Sequence, residues 1–114
     1  MSAPFEEMSN LDRLIHEPAR LAIMTALAAC RSADFVFLQS LTGLTKGNLS
    51  QHLGKLEAGG LVAIDKTFVR KRPRTTIRLS KDGRAAIDLH WRHLEQMRRA
   101  AVLWGSQLRR MVTE

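Results

Sequence analysis

TKGNLSQHLGKLEAGGL, residues 45–61, is the stretch whose reading decides the fold. Leu49, Leu53 and Leu56 recur at intervals of four and three, so on a helix they form one narrow stripe that has to be buried. At about 100° per residue, Gly47, Gln51, Gly54 and Ala58 lie opposite that stripe, with Asn48, Ser50 and Lys55 on its shoulders. Two glycines among Gln, Asn, Ser and Lys leave donors and acceptors on a face that a large flat partner can approach closely. The base edges of a major groove answer that description. Taken alone, three leucines at this spacing are ordinary core helix, so the flanking segments have to decide.

Upstream, Asp34 reads as the N-cap of a helix in which Phe35, Leu38 and Leu41, spaced by three, face inward. Gly43 ends that helix with a positive φ, and only a tight turn fits before Thr45 caps the next one. A helix-turn-helix over about 34–59 follows. Gly59-Gly60 stops its second helix, and Leu61-Val62-Ala63-Ile64 is short and apolar, as a strand should be. Thr75, Ile77 and Leu79 then alternate with Thr76, Arg78 and Ser80, the period of a strand with one buried face. Between the strands the tip Phe68-Val69-Arg70-Lys71-Arg72-Pro73-Arg74 packs four cations into five residues, around a proline confined to an edge or turn. The result is a basic hairpin over about 61–79.

Farther from the centre, residues 1–8 read as a loose tail, and Ser9 or Asn10 as the cap of a short helix holding Leu11, Leu14 and Ile15. Pro18 suits the first turn of another helix, whose segment Leu21 to Cys30 is apolar nearly all round and belongs in the core. After the hairpin, Ser80 caps a long terminal helix over about 81–112. Its Ile87, Trp91, Leu94, Met97, Ala101, Trp104, Leu108 and Met111 form a heptad-like seam with one slip. From Lys81 to Met111 a continuous helix is about 46 Å long, more than a body of this size can cover. Its far half calls for another chain, and Gly105-Ser106 marks a place for a bend or for close approach of two backbones.

Composition agrees. At 114 residues, 45% hydrophobic and 25% charged, the chain reads as a single soluble domain. The net charge of +7 favours a polyanionic partner, and its distribution is uneven: −2 over residues 1–42, +6 over 43–79 and +3 over 80–114. A lone Cys30 excludes an internal disulfide and fits a small core residue in a reducing compartment. Glu6 and Glu7 are unlike a signal peptide, and the longest mostly apolar run is far short of a membrane span, so the expectation is a cytoplasmic, nucleoid-associated protein with no membrane partner. No nucleophile motif, phosphate loop or suggestive carboxylate pair is present, and the chain reads as neither an enzyme nor a cofactor protein.

The run Phe37-Leu38-Gln39-Ser40-Leu41-Thr42-Gly43-Leu44-Thr45, with Asn48-Leu49-Ser50-Gln51-His52-Leu53, Lys55-Leu56-Glu57 and Gly60-Leu61-Val62, resembles the helix-turn-helix of bacterial winged-helix regulators of the MarR and ArsR groups. Ile15 to Met24 is similar to the first-helix signature of such proteins, and Thr75 to Arg84 to the strand that leaves the wing and enters the next helix. The resemblance covers roughly residues 11–87. It implies a mainly α fold with a small β-hairpin and a long C-terminal dimerisation helix, in a homodimeric regulator of transcription.

Within that frame Gln51 is the first candidate for direct readout, because glutamine pairs bidentately with adenine. Lys46 and Lys55 suit guanine or phosphate, Asn48 and Ser50 suit either, and Thr45 caps with phosphate as a second role. His52, at the edge of the apolar stripe, reads as packed or phosphate-bonded. Arg70, Lys71, Arg72 and Arg74 read as phosphate or minor-groove contacts; the plainer reading is a solvated loop. Some ArsR-type sensors hold a metal with a D-x-H pair and a later H-x-x-E, which Asp88, His90 and His93 call to mind; here His93 comes too early and Gln96 follows it, so no metal site is expected and the two histidines read as a surface pair. Trp91 and Trp104 read first as dimer packing, with an aromatic pocket for an unidentified small-molecule effector as the alternative. The expected function is a sequence-specific duplex-DNA-binding repressor on a pseudo-palindromic operator, against a protein-interaction adaptor or a non-specific architectural protein.

Overall fold

The computed structural model describes residues 10–113; the tail and the Ser9 cap lie outside them. Five helices and three strands follow in the order α1 (Asn10–Ile15), α2 (Pro18–Ala28), β1 (Ala33–Asp34), α3 (Phe35–Thr42), α4 (Lys46–Ala58), β2 (Val62–Val69), β3 (Arg72–Leu79) and α5 (Lys81–Thr113). The strands form one antiparallel sheet in the order β1-β3-β2. This is the expected mainly helical fold with a hairpin wing and a long last helix.

Helix starts and stops follow local chemistry. Pro18 sits in the first turn of α2, where its missing N–H is no loss, and the Glu17 carboxylate accepts from the Arg20 amide. Thr45 Oγ1 accepts from the Asn48 amide at 3.1 Å to begin α4. Gly43 closes α3 at φ 70°, and Gly60 follows α4 at φ 75°. Ser80 Oγ accepts from the Gly83 amide at 2.9 Å while donating to Gly60 O at 2.6 Å, so one hydroxyl starts α5 and ties it to the end of α4. At Gly83 the backbones meet: a Cβ there would lie 1.9 Å from the carbonyl oxygen of Leu61.

The core gathers Ile15, Ile23, Met24, Leu27, Leu38, Leu49, Leu53, Leu56, Leu61, Ile77 and Ile87. All three leucines of the α4 stripe are buried, and the outward face of that helix is left to solvent. On α2 only one side is buried, through Ile23, Met24 and Leu27, while Ala22 and Thr25 are exposed. Cys30 is half-buried against the core, its Sγ bonded to Ala26 O.

Four expectations need correction. Leu41 does not face inward but is 53% exposed, because Leu38 fills the core position of an eight-residue helix and Phe35 is half-buried beside it. Asp34 makes no side-chain cap; its carboxylate is taken by Arg74. His90 and His93 are not a surface pair but are buried against α1: His90 Nδ1–H donates to Asp12 Oδ1 at 2.9 Å, and His93 Nδ1 lies 3.2 Å from Oδ2 at an angle that falls short of a hydrogen bond. The other ring nitrogen of His90 meets His16 Nδ1 at 3.2 Å, so a polar chain pins α1 to α5 where the periodicity alone suggests solvent. Finally, Ile87 is fully buried in the subunit's own core, because the first turns of α5 cover α1, α2 and β3; the seam available to another chain begins at Trp91.

Beyond those turns α5 runs free. The Cα radius of gyration is 18.0 Å, against about 13 Å for a compact chain of this length, and the longest axis is 71 Å. Of its apolar side chains, Trp91, Ala101, Val102, Leu103, Trp104, Leu108, Met111 and Val112 are exposed, and Leu94 and Met97 are half-buried. Gly105-Ser106 does not interrupt the helix.

Candidate nucleic-acid interface

The two sides of the site are α4 and the wing. By strand alternation the pairs Val62–Leu79, Ile64–Ile77, Lys66–Thr75 and Phe68–Pro73 share one face of the hairpin. The first two pairs face the core; beyond them Lys66, Thr75 and Pro73 lie along an open cleft of about 700 Å³ between α3, α4 and the wing. Lys46, Ser50, Gly54 and Glu57 form its α4 wall, and Lys66, Pro73, Arg74 and Thr75 its wing wall.

On α4 the expected contacts fall as follows. Lys46, Asn48, Ser50, Gln51 and Lys55 are all exposed, and a Cβ at Gly47 or Gly54 would meet nothing within 4 Å, so this face is bare. Thr45 is exposed and its hydroxyl caps. His52 turns the other way: its Nδ1 lies 3.2 Å from Arg20 Nη1 and 3.6 Å from Glu17 Oε2, a cluster that clamps α4 to the start of α2. Arg20 is itself held by a bond from Nε to Leu14 O. Burial works to raise the Glu17 pKa, but amide bonds from Arg20 and Ala19 and the charges of His52 and Arg20 outweigh it and hold the carboxyl below its ordinary value. The geometry therefore gives His52 a positioning contact inside the subunit.

On the wing, pairing runs to the very end. Val69 opposes Arg72, and Arg70-Lys71 form a two-residue turn with φ 52° and 64°. Two consecutive positive φ values are the pattern of a type I′ turn, in which Asn-Gly is the usual choice. Two cationic side chains here carry about 1–2 kcal/mol of strain each. Arg70, Lys71 and Arg72 are exposed with no acid within salt-bridge distance among the described residues. Arg74 differs: its Nε and Nη2 donate to the two oxygens of Asp34, each at 3.0 Å, a bidentate pair linking the wing to the start of α3. Sequence reasoning missed Lys66 and Phe68 on the inner face, because alternation of apolar and polar residues lapses where the hairpin leaves the core.

A capped polar helix beside a stiff, cation-tipped antiparallel wing defines the class: a winged helix-turn-helix module of the DNA-binding kind. A family model described as a winged helix DNA-binding domain matches residues 19–98, and the chain belongs to that family. An uncharacterised protein of Methanocaldococcus jannaschii is 32% identical over 74 residues, which span 65% of this chain and 80% of that protein. The structure of a transcriptional regulator homologue from Pyrococcus horikoshii OT3 is 34% identical, with a TM-score of 0.65 over 82% of this chain and 87% of that one. A MarR-family regulator structure from Enterococcus faecalis V583 covers 96% of each chain with a TM-score of 0.67; at 20% identity the likeness is one of fold. The resemblance read from the sequence agrees with these findings. Among the described residues no group of three or more His, Cys, Asp or Glu is arranged to hold a metal ion, and no helix is long and apolar enough to cross a membrane.

Proposed function

We propose that the protein is a sequence-specific duplex-DNA-binding transcription regulator that works as a homodimer and represses by occluding a promoter. The observation that carries this is the bare, capped face of α4, with Gln51 exposed at its centre, lying beside a wing whose tip presents Arg70, Lys71 and Arg72 unpaired among the described residues. α4 would enter the major groove with Gln51 against a base edge, while the wing tip meets phosphates. The exposed apolar side chains of α5 support pairing with a second copy through that helix. Two subunits related by a two-fold axis would read half-sites about 10 base pairs apart or a multiple of that.

Selection from random duplexes, followed by binding titrations on the enriched sequence, tests the reading. A pseudo-palindrome should emerge, and Gln51→Ala should flatten discrimination at one position of each half-site by about 1–3 kcal/mol. Binding without an enriched motif would point to an architectural role, and no duplex binding even at low salt would point to a protein-interaction adaptor.

A further inference from the structure

Phe68, the one aromatic side chain of the wing, is 77% exposed, and nothing in its own subunit explains it. By strand alternation it shares the face of the hairpin that carries Ile64 and Lys66, one step beyond the residues that line the cleft against α4. We propose that Phe68 is an apolar wedge that enters the minor groove beside the half-site and partly unstacks a base step there. This rests on the duplex-DNA reading above.

Three observations support the assignment. The first is stiffness: the hairpin is paired through Val69–Arg72, one step beyond Phe68, and its partner Pro73 has a fixed φ, so the ring is held at a defined place. The second is chemistry: Phe68 stands on a wing whose Lys66, Arg70, Lys71 and Arg72 are all exposed, and an aromatic carried among cations suits a polyanion with an apolar interior, which is what stacked base pairs inside two phosphate strands present. The third is reach. From Ile64, at the edge of the core, to Phe68 is four residues, about 13 Å of strand. Half a turn of duplex, the step from the major groove holding α4 to the adjacent minor groove, is about 17 Å. The side chain and the tip cover the remainder.

Wedges of this kind work where stacking is weak, so Phe68 would favour pyrimidine–purine steps, TA or CA, flanking the bases read by α4. The wing would then add selectivity through the ease of deforming the DNA, at positions where no hydrogen bond is made. Its cations would supply attraction of either duplex, flexible or stiff.

The test uses the full chain and two end-labelled duplexes that differ only in carrying a TA or a stiff A-tract at the flank. Energy transfer between the ends reads the bend, and 2-aminopurine at the step reads unstacking. With the wild type, binding should bend the TA duplex and brighten the 2-aminopurine. Phe68→Ala should abolish both signals and weaken binding to the TA duplex about tenfold, without changing the salt dependence, since no charge is removed. Phe68→Leu, which keeps an apolar wedge, should retain part of the bend. The exposed position leaves folding intact, which circular dichroism checks. Equal bend and brightness in wild type and Phe68→Ala overturn the proposal while leaving DNA binding standing. A change of oligomeric state in Phe68→Ala with an unaltered bend overturns it in favour of contact between copies. If the wild type binds neither duplex at low salt, the DNA reading and the wedge fall together.

Discussion

Gly54→Ala should make the protein more stable and a worse DNA binder, two effects of opposite sign from one methyl group. Gly54 lies in the interior of α4 on the face opposite Leu49, Leu53 and Leu56, and a Cβ there meets nothing within 4 Å, so alanine fits the subunit without strain. Helix propensity then favours the variant by about 0.8–1 kcal/mol. With an unfolding entropy of roughly 2 cal/mol/K per residue, that gain raises the melting temperature by about 4 °C. On the proposed DNA-facing side the methyl stands one turn from Gln51 and would hold the helix off the base edges. Loss of a bidentate contact of about 1–3 kcal/mol weakens specific binding roughly 5- to 150-fold. Thermal unfolding by circular dichroism and anisotropy titration at fixed salt measure the two effects on one preparation. A variant that melts higher and binds its site as tightly as the wild type would refute the claim that this face lies against the groove.

Other perturbations separate the remaining parts. Arg72→Ala should lower the magnitude of the log-log salt slope by about 0.9, whereas Arg74→Ala should change it less, because Asp34 already neutralises that guanidinium; parallel titrations over a salt series compare them. For the same reason the share of the slope from the wing tip, Arg70, Lys71 and Arg72, should be near −2.7. Leu108→Glu, at an exposed position on the free part of α5, should leave the subunit folded and shift sedimentation toward the monomer. Gly83→Ala should destabilise by about 3 kcal/mol in denaturant titrations, the upper end for overpacking, because the new Cβ would overlap the Leu61 backbone, which has no rotamer to change.

The elements that could be read from the sequence are those whose periodicity is complete within one segment: the leucine stripe of α4, the Thr75–Leu79 alternation, the glycine stops and the hydroxyl caps. Local chemistry decides these. The rest depended on partners far away in the chain. Asp12 and His90 are 78 residues apart, and no pattern on α5 shows that its two histidines bury themselves on a carboxylate from α1. β1 is two residues long, too short for any period, and exists because Ala33 and Asp34 pair with Ile77 and Thr76. The outer wing strands are exposed on both faces, so hydropathy does not mark them, and their order comes from backbone pairing and the turn. At the candidate interface the residue types on α4 were legible as a face. That His52 is occupied by Arg20 and Glu17, and Arg74 by Asp34, was not, because each contact joins segments the sequence keeps apart.

If the bare outer half of α5 pairs with a second copy, as proposed above, it ties the behaviour of the protein to its own abundance. An isolated helix of that length is marginal in water, so such pairing would stabilise those turns as well as join the subunits. The midpoint of thermal unfolding should therefore climb with protein concentration. Where subunits are scarce, occupancy of a two-fold DNA site should rise with the square of their number. A modest change in expression would then act on the DNA as a sharp one.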